Sequence, residues 1–290
     1  MNSILTLIAA NRLDDTMLSR IREAMPQSAE PVWLAPGKAA DIAFDGLRDG
    51  EAERRARAVL NDAPVDLIAQ SKDGRRKKLL IADMDSTMVV GETLDDLAAH
   101  AGLKDKIAAI TARAMNGEID FKGALRERVG LLAGLSETAL EDTWRHLELM
   151  PGAQALVGTM KAQGATAVLV SGGFDFFTGR VRERCGFDED RANRLEIAGG
   201  KLTGNVGEPI LDRDSKLFHL RDFAAQLGLS MSETLAVGDG ANDLDMIRAA
   251  GLGVAYHAKP VVAGEARFRV DHGDLTALLY AQGYRQDQFV

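Results

Sequence analysis

Four short stretches carry side chains that could do chemistry together. Asp83-Met84-Asp85-Ser86-Thr87 sets two carboxylates two residues apart at the end of the apolar run 79–82. In an extended strand residues i and i+2 point to one side, so both acids can reach one site. Buried acids are costly unless a cation or a reaction uses them. Ser171-Gly172-Gly173 follows the apolar run 166–170 and offers a hydroxyl and backbone N–H groups to an anion. Gly238-Asp239-Gly240-Ala241-Asn242-Asp243 follows the run 234–237 and brings two more acids, and Lys216 lies near the start of a helical stretch behind Asp212, Asp214 and Ser215.

Taken singly, these features have plain structural readings. Ser-Gly-Gly is also an ordinary turn, Gly-Asp-Gly with Asn242 is also a helix cap, and Lys216 is also a solvated lysine. Taken together they change meaning. Three acidic strand ends in one parallel sheet would make a site for a hard cation such as Mg²⁺. The serine, the glycine amides and the lysine would complement a phosphate there. A carboxylate in line with phosphorus can act as nucleophile, and its neighbour can move protons.

The elements that must position these residues follow from the hydrophobic patterning. Residues 4–10, 31–34, 40–44 and 65–70 read as strands, and 15–25 (capped by Asp15 or Thr16) and 51–61 as helices, in the order βαββαβ. This predicts a small N-terminal α+β domain over 1–72, similar to ACT-type modules that bind amino acids or pair with one another. A polar, basic stretch, Ser71-Lys72-Asp73-Gly74-Arg75-Arg76-Lys77-Lys78, marks the boundary. After the Asp83 strand, residues 93–150 read as four helices, the last opening on a weak capping box at Ser136-Glu137-Thr138-Ala139. Alternating βα units then resume, with a glycine-turn hairpin at 195–202. The expected fold class is α/β, a Rossmann-like doubly wound parallel sheet over 77–92 and 151–290 with a helical cap, 93–150, inserted after its first strand.

Composition bounds the function. With 290 residues, 46% of them hydrophobic, the chain can bury a sizeable core. A formal charge of −8 argues against nucleic acid or an anionic membrane as the main partner. The single cysteine, Cys185, excludes an internal disulfide and a thiolate metal cluster. No apolar run reaches membrane-spanning length and the N-terminus lacks a basic region ahead of residues 4–10, so a cytoplasmic protein without a signal peptide is expected. The five histidines are scattered without metal-ligand spacing and carry no expected catalytic role.

The four ordered motifs resemble those of the haloacid dehalogenase-like phosphatases. The finer pattern, Asp83 to Thr87, then Glu92, then Val170-Ser171-Gly172-Gly173-Phe174, is similar to that of the phosphoserine phosphatases within them. Met84 stands where related enzymes often carry Phe. The resemblance implies that Asp83 is the phosphorylated nucleophile, and that Asp85 protonates the departing oxygen and then activates water. It implies Mg²⁺ held by Asp83, the Asp85 carbonyl and Asp239, with Asp243 close behind. Ser171, Gly172, Asn242 and Lys216 would hold the phosphate. Glu92 and Arg128 would read the amino group and carboxylate of phosphoserine, with Phe121 closing over it.

Other readings stay open at this stage. A related enzyme could take phosphohomoserine or phosphothreonine, and an amino-acid sensor could bind without turnover. A receiver-like phospho-acceptor is disfavoured by Asp85, which supplies a base for hydrolysis. The N-terminal domain could also pair two copies into a homodimer.

Overall fold

The computed structural model describes residues 1–115 and 118–290. The N-terminal elements are β1 (Ser3–Ala9), α1 (Asp15–Ala24), β2 (Val32–Ala35), β3 (Ala39–Phe44), α2 (Asp49–Leu60) and β4 (Val65–Ser71). The strands form an antiparallel sheet in the order β2-β3-β1-β4. One face, through Leu5, Leu7 and Ile42, packs on Leu18, Ile21, Ala52 and Ala56 of the two helices. The other face, through Ile8, Ala39 and Ile68, joins the core of the rest of the chain. Helix α1 is capped by Asp14, which accepts from Met17 N at 2.8 Å, one residue earlier than the sequence indicated.

Next come β5 (Leu79–Ala82) and four helices: α3 (Thr93–His100), α4 (Lys104–Met115), α5 (Phe121–Gly130) and α6 (Thr138–His146). The capping box expected at Ser136 does not form. Glu137 is the cap position, without a side-chain bond, and Ser136 instead accepts from the Thr138 hydroxyl at 2.9 Å. The two strands of chain that lead into and out of this helical block run side by side. Val90 N donates to Glu148 O and Met150 N to Met88 O, both at 2.9 Å.

The chain continues through α7 (Ala153–Ala162), β6 (Thr166–Phe174), α8 (Asp175–Cys185), β7 (Glu189–Asn193), the hairpin β8 (Leu195–Ala198) and β9 (Lys201–Val206), and α9 (Arg213–Gln226). It ends with β10 (Thr234–Gly238), α10 (Leu244–Ala249), β11 (Leu252–Tyr256), α11 (Pro260–Glu265), β12 (Phe268–Val270) and α12 (Ala277–Ala281). The main sheet is wholly parallel, in the order β12-β11-β10-β5-β6-β7. Its central strands are buried on both faces, which is why they read as continuous apolar runs. The order reverses between β5 and β10, so the crevice past their C-terminal ends is where a doubly wound sheet binds ligands. The hairpin leans on the helical block: Gly134 N donates to Leu202 O and Leu202 N to Leu135 O.

Candidate active site

Asp83 and Asp239 follow β5 and β10, one at each side of the reversal point. The Asp83 backbone N–H donates to Val237 O at 3.0 Å, which fixes the two strand ends to one another. Asp243 sits on the short turn Ala241–Asp243 beneath them. It can reach that place because residue 238 is glycine: a Cβ there would lie 2.3 Å from the Asp243 carboxyl carbon. Asn242, whose plain structural reading was a helix cap, lies within this turn, and α10 starts only at Leu244.

Lys216 comes from α9, whose N-terminus is fixed by a reciprocal box between Asp212 and Ser215. Its Nζ lies 2.7 Å from Asp83 Oδ1 and 2.6 Å from Asp243 Oδ1, and the residue is 2% exposed. Burial alone would favour the neutral amine, but the Asp243 and Asp83 carboxylates outweigh it and raise its pKa. Lys216 therefore stays charged.

The carboxylates of Asp83, Asp239 and Asp243 each offer an oxygen within 4.8 Å of the others, and all three residues are buried. One ammonium cannot balance three acids. Burial, then Asp243, pushes the Asp83 carboxyl well above its usual range against the pull of Lys216. Burial, then Asp243, likewise raises Asp239 to about 6. An all-oxygen, partly desolvated cluster with excess negative charge suits a divalent hard cation, which would hold these acids ionised. The Asp85 carboxylate is not part of this cluster.

Asp85 has a different setting. Its Oδ1 accepts from the Thr93 N–H at 2.9 Å, at the first turn of α3. Burial, and after it the neighbouring Glu92, raises its pKa to about 7 despite that bond. Of the two strand-end acids, Asp83 is thus paired with a fixed ammonium while Asp85 is poised to exchange a proton near neutrality. Directly after Asp85, Ser86 takes a left-handed backbone, φ 55°, and its hydroxyl donates to Glu92 Oε1 at 3.0 Å.

A cavity of about 230 Å³ opens above these groups. Asp83, Asp85, Glu92, Phe121, Arg128, Ser171, Gly172, Asp239 and Asn242 all line it, so the structure brings together the residues singled out from sequence; Lys216 and Asp243 lie beneath its floor. The sequence placed Ser171 just past a strand ending at residue 170, whereas β6 runs on to Phe174 and Ser171 Oγ accepts from Gly173 N at 2.9 Å within its irregular last stretch. From the helical block, Arg128 of α5 faces the cavity half-buried and forms no ion pair among the described residues; its Nε only reaches the Ala124 carbonyl at 3.4 Å. Two residues escaped the sequence reading. Lys259, ahead of α11, also lines the cavity, and Asn193, on the charged edge strand β7, holds the Gly172 carbonyl from outside. No motif pointed to either, because each is joined to the site only by strand order.

Comparison with known proteins agrees with this geometry. The family model for haloacid dehalogenase-like hydrolases matches residues 80–248. A phosphoserine phosphatase of Streptomyces coelicolor is 41% identical over 258 residues, covering 87% of this chain and 62% of the relative. One of Lactococcus lactis is 43% identical over 203 residues, covering 70% of this chain and 94% of the relative. This chain thus spans less than two thirds of the Streptomyces protein. Among solved structures, a haloacid dehalogenase family hydrolase of Salmonella enterica serovar Typhi superposes with a TM-score of 0.87 at 29% identity, covering 98% of this chain and 99% of that one.

Proposed function

Since the chain belongs to the haloacid dehalogenase-like hydrolases, we propose that it hydrolyses O-phospho-L-serine to L-serine and phosphate, the last step of serine synthesis. The observation that carries the substrate assignment is Arg128, a half-buried guanidinium without an ion-pair partner among the described residues, lining the same cavity as Asp83, Ser171 and Asp239. A planar fork left unpaired in a partly desolvated wall is a receptor for a carboxylate. Glu92, lining the same cavity, suits the ammonium group, and the names of the two bacterial relatives support the same substrate.

In this reading the Asp83 carboxylate attacks phosphorus and the P–O bond to the serine oxygen breaks. Asp85, protonated near neutrality, gives its proton to that oxygen. Once serine has left, the Asp85 carboxylate takes a proton from water as the water oxygen attacks the phosphoaspartate. Phosphate departs and Asp83 is regenerated. Ser171, the Gly172 amide and Asn242 hold the phosphoryl oxygens, and Lys216 offsets the charge that gathers between Asp83 and phosphate. Phe121 closes the cavity over the substrate. Asp83, Asp239 and the Asp85 carbonyl would hold Mg²⁺, with Asp243 in the same carboxylate cluster; the ion would neutralise phosphate charge when bound.

The reading carries further expectations. The N-terminal domain acts as an ACT-like module and pairs two copies of the chain, and the enzyme works in the cytoplasm, as a lone buried thiol at Cys185 would suit. The deciding test is phosphate release from O-phospho-L-serine, with and without Mg²⁺, by the parent chain and by Asp83→Asn. Loss of turnover by about three orders of magnitude or more is expected on substitution. Undiminished turnover in Asp83→Asn would sink the mechanism. Equal rates on phosphothreonine and phosphoserine would sink the substrate assignment.

A further inference from the structure

The irregular last stretch of β6, which carries Ser171 and Gly172, is tied down from outside the cavity by one side chain. Asn193, the last residue of β7, is 1% exposed. Its Nδ2 donates to the Gly172 carbonyl at 2.8 Å and to the Leu211 carbonyl at 3.4 Å, and its Oδ1 accepts from Leu211 N at 2.7 Å. Both amide hydrogens and the amide oxygen are thereby used. The ladder between β6 and β7 is interrupted between Val170 and Phe174. Residues 171–173 thus lack regular strand pairing on that side, and the Asn193 amide takes its place.

The second partner, Leu211, belongs to a segment gripped by the cap. From α5, Lys122 pairs with Asp212 at 2.9 Å and Arg126 with Glu208 at 2.6 Å. The same helix sets Phe121 over the end of β6, where a Cβ on Gly172 would lie 3.3 Å from the ring. Helix α5 therefore touches the parts of the chain at both ends of the Asn193 amide. We infer that Asn193 is a positioning residue that couples the seating of α5 to the phosphate-facing stretch 171–173 of β6. When α5 is seated, segment 207–212 is held, Asn193 is held by Leu211, and the Gly172 peptide is aimed. The kinetic part of this inference rests on the phosphatase reading; the mechanical part does not.

Asn193→Asp provides a near-isosteric test. An ionised carboxylate would set oxygen against two carbonyls, so in this buried place it favours the protonated form. That form regains one donor for the Gly172 carbonyl. Asn193→Ala should lower kcat for phosphoserine by about 10- to 100-fold at all pH values, as a misplaced binding group does. Asn193→Asp should recover toward the parent rate as pH falls, measured as a ratio to the parent. A flat ratio for both variants would overturn the role. Independently of turnover, Lys122→Ala, an exposed change that leaves the core intact, should speed amide hydrogen exchange at residues 171–174 as well as at 207–212. Exchange at 171–174 that keeps the parent rate would overturn the coupling. A parent chain without turnover would instead overturn the phosphatase reading and leave the exchange result to decide this one.

Discussion

A Cβ on Gly173 would lie 2.8 Å from Asp85 Oδ2, closer than a Cβ carbon approaches another heavy atom. The same atom would meet Ser171 Oγ at 3.1 Å and Met84 Cε at 3.2 Å. Gly173 is not in the left-handed region, so the requirement for glycine is one of clearance. Gly173→Ala should push the Asp85 carboxylate out of place. Displacement by about 1 Å costs roughly a hundredfold in turnover. Phosphate release together with a melting curve checks this: turnover collapses while the fold survives, and a fully active variant would show that Asp85 tolerates the shift.

Lys216 is the ammonium that separates Asp83 from Asp243. Lys216→Met leaves those buried carboxylates facing each other without a counter-ion, and removal of one partner from such a group costs about 3–5 kcal/mol. Because the Asp83 carboxyl is already raised above its usual value of 3.8, its ionised form opposes folding above that range, and the opposition fades as pH falls. The variant should therefore gain stability relative to the parent on acidification. Saturating Mg²⁺ should restore part of the loss through binding to the folded state. Urea unfolding at two pH values, with and without Mg²⁺, reads both effects; a variant as stable as the parent in metal-free buffer contradicts them.

His219 lies on α9 with its Nδ1 buried and unbonded among the described residues. Burial, then Arg191, lowers its pKa below the usual 6.5. For a base with a lowered folded-state pKa, protonation favours the unfolded chain. Stability is then full above about pH 6.5 and declines as pH falls below it. His219→Gln should flatten that decline. Equal slopes of unfolding free energy against pH in parent and variant would rule the effect out.

Cys185 ends α8 beneath the sheet, 5% exposed, and burial raises its thiol to about 11. At about pH 8 only on the order of one molecule in a thousand carries the thiolate, which is the reactive form. Alkylation by iodoacetamide should run at least about a hundredfold slower in the native protein than in urea. Comparable rates would place the thiol at the surface.

Much of the site was legible because the strands that end in it are short, continuous apolar runs, and each is followed at once by its polar residues. Asp83 and Asp239 could be placed past strand ends from that pattern alone, while the strand before Ser171 runs on to Phe174 because its glycines stay extended. What was hidden depended on pairing between distant segments. β7, Glu189-Asp190-Arg191-Ala192-Asn193, is an edge strand whose charged side chains show no apolar alternation, so neither it nor Asn193 could be seen. Lys259 reaches the cavity only because β11 lies beside β10. Helix caps slipped by a residue at Asp14 and failed at Ser136, where several small polar residues compete for the same backbone donors.

The paired linkers around residues 88–90 and 148–150 make the helical block an insertion whose entrance and exit share one doorway. Their separation is set by the linkers' own hydrogen bonds, so the distance between the end of β5 and the start of α7 does not depend on the length of what lies beyond. A different set of helices could be spliced in there while Asp83, Lys216 and Asp239 kept their places. On the proposed reading, substrate preference would vary with the inserted block while the carboxylate and lysine cluster stayed in place.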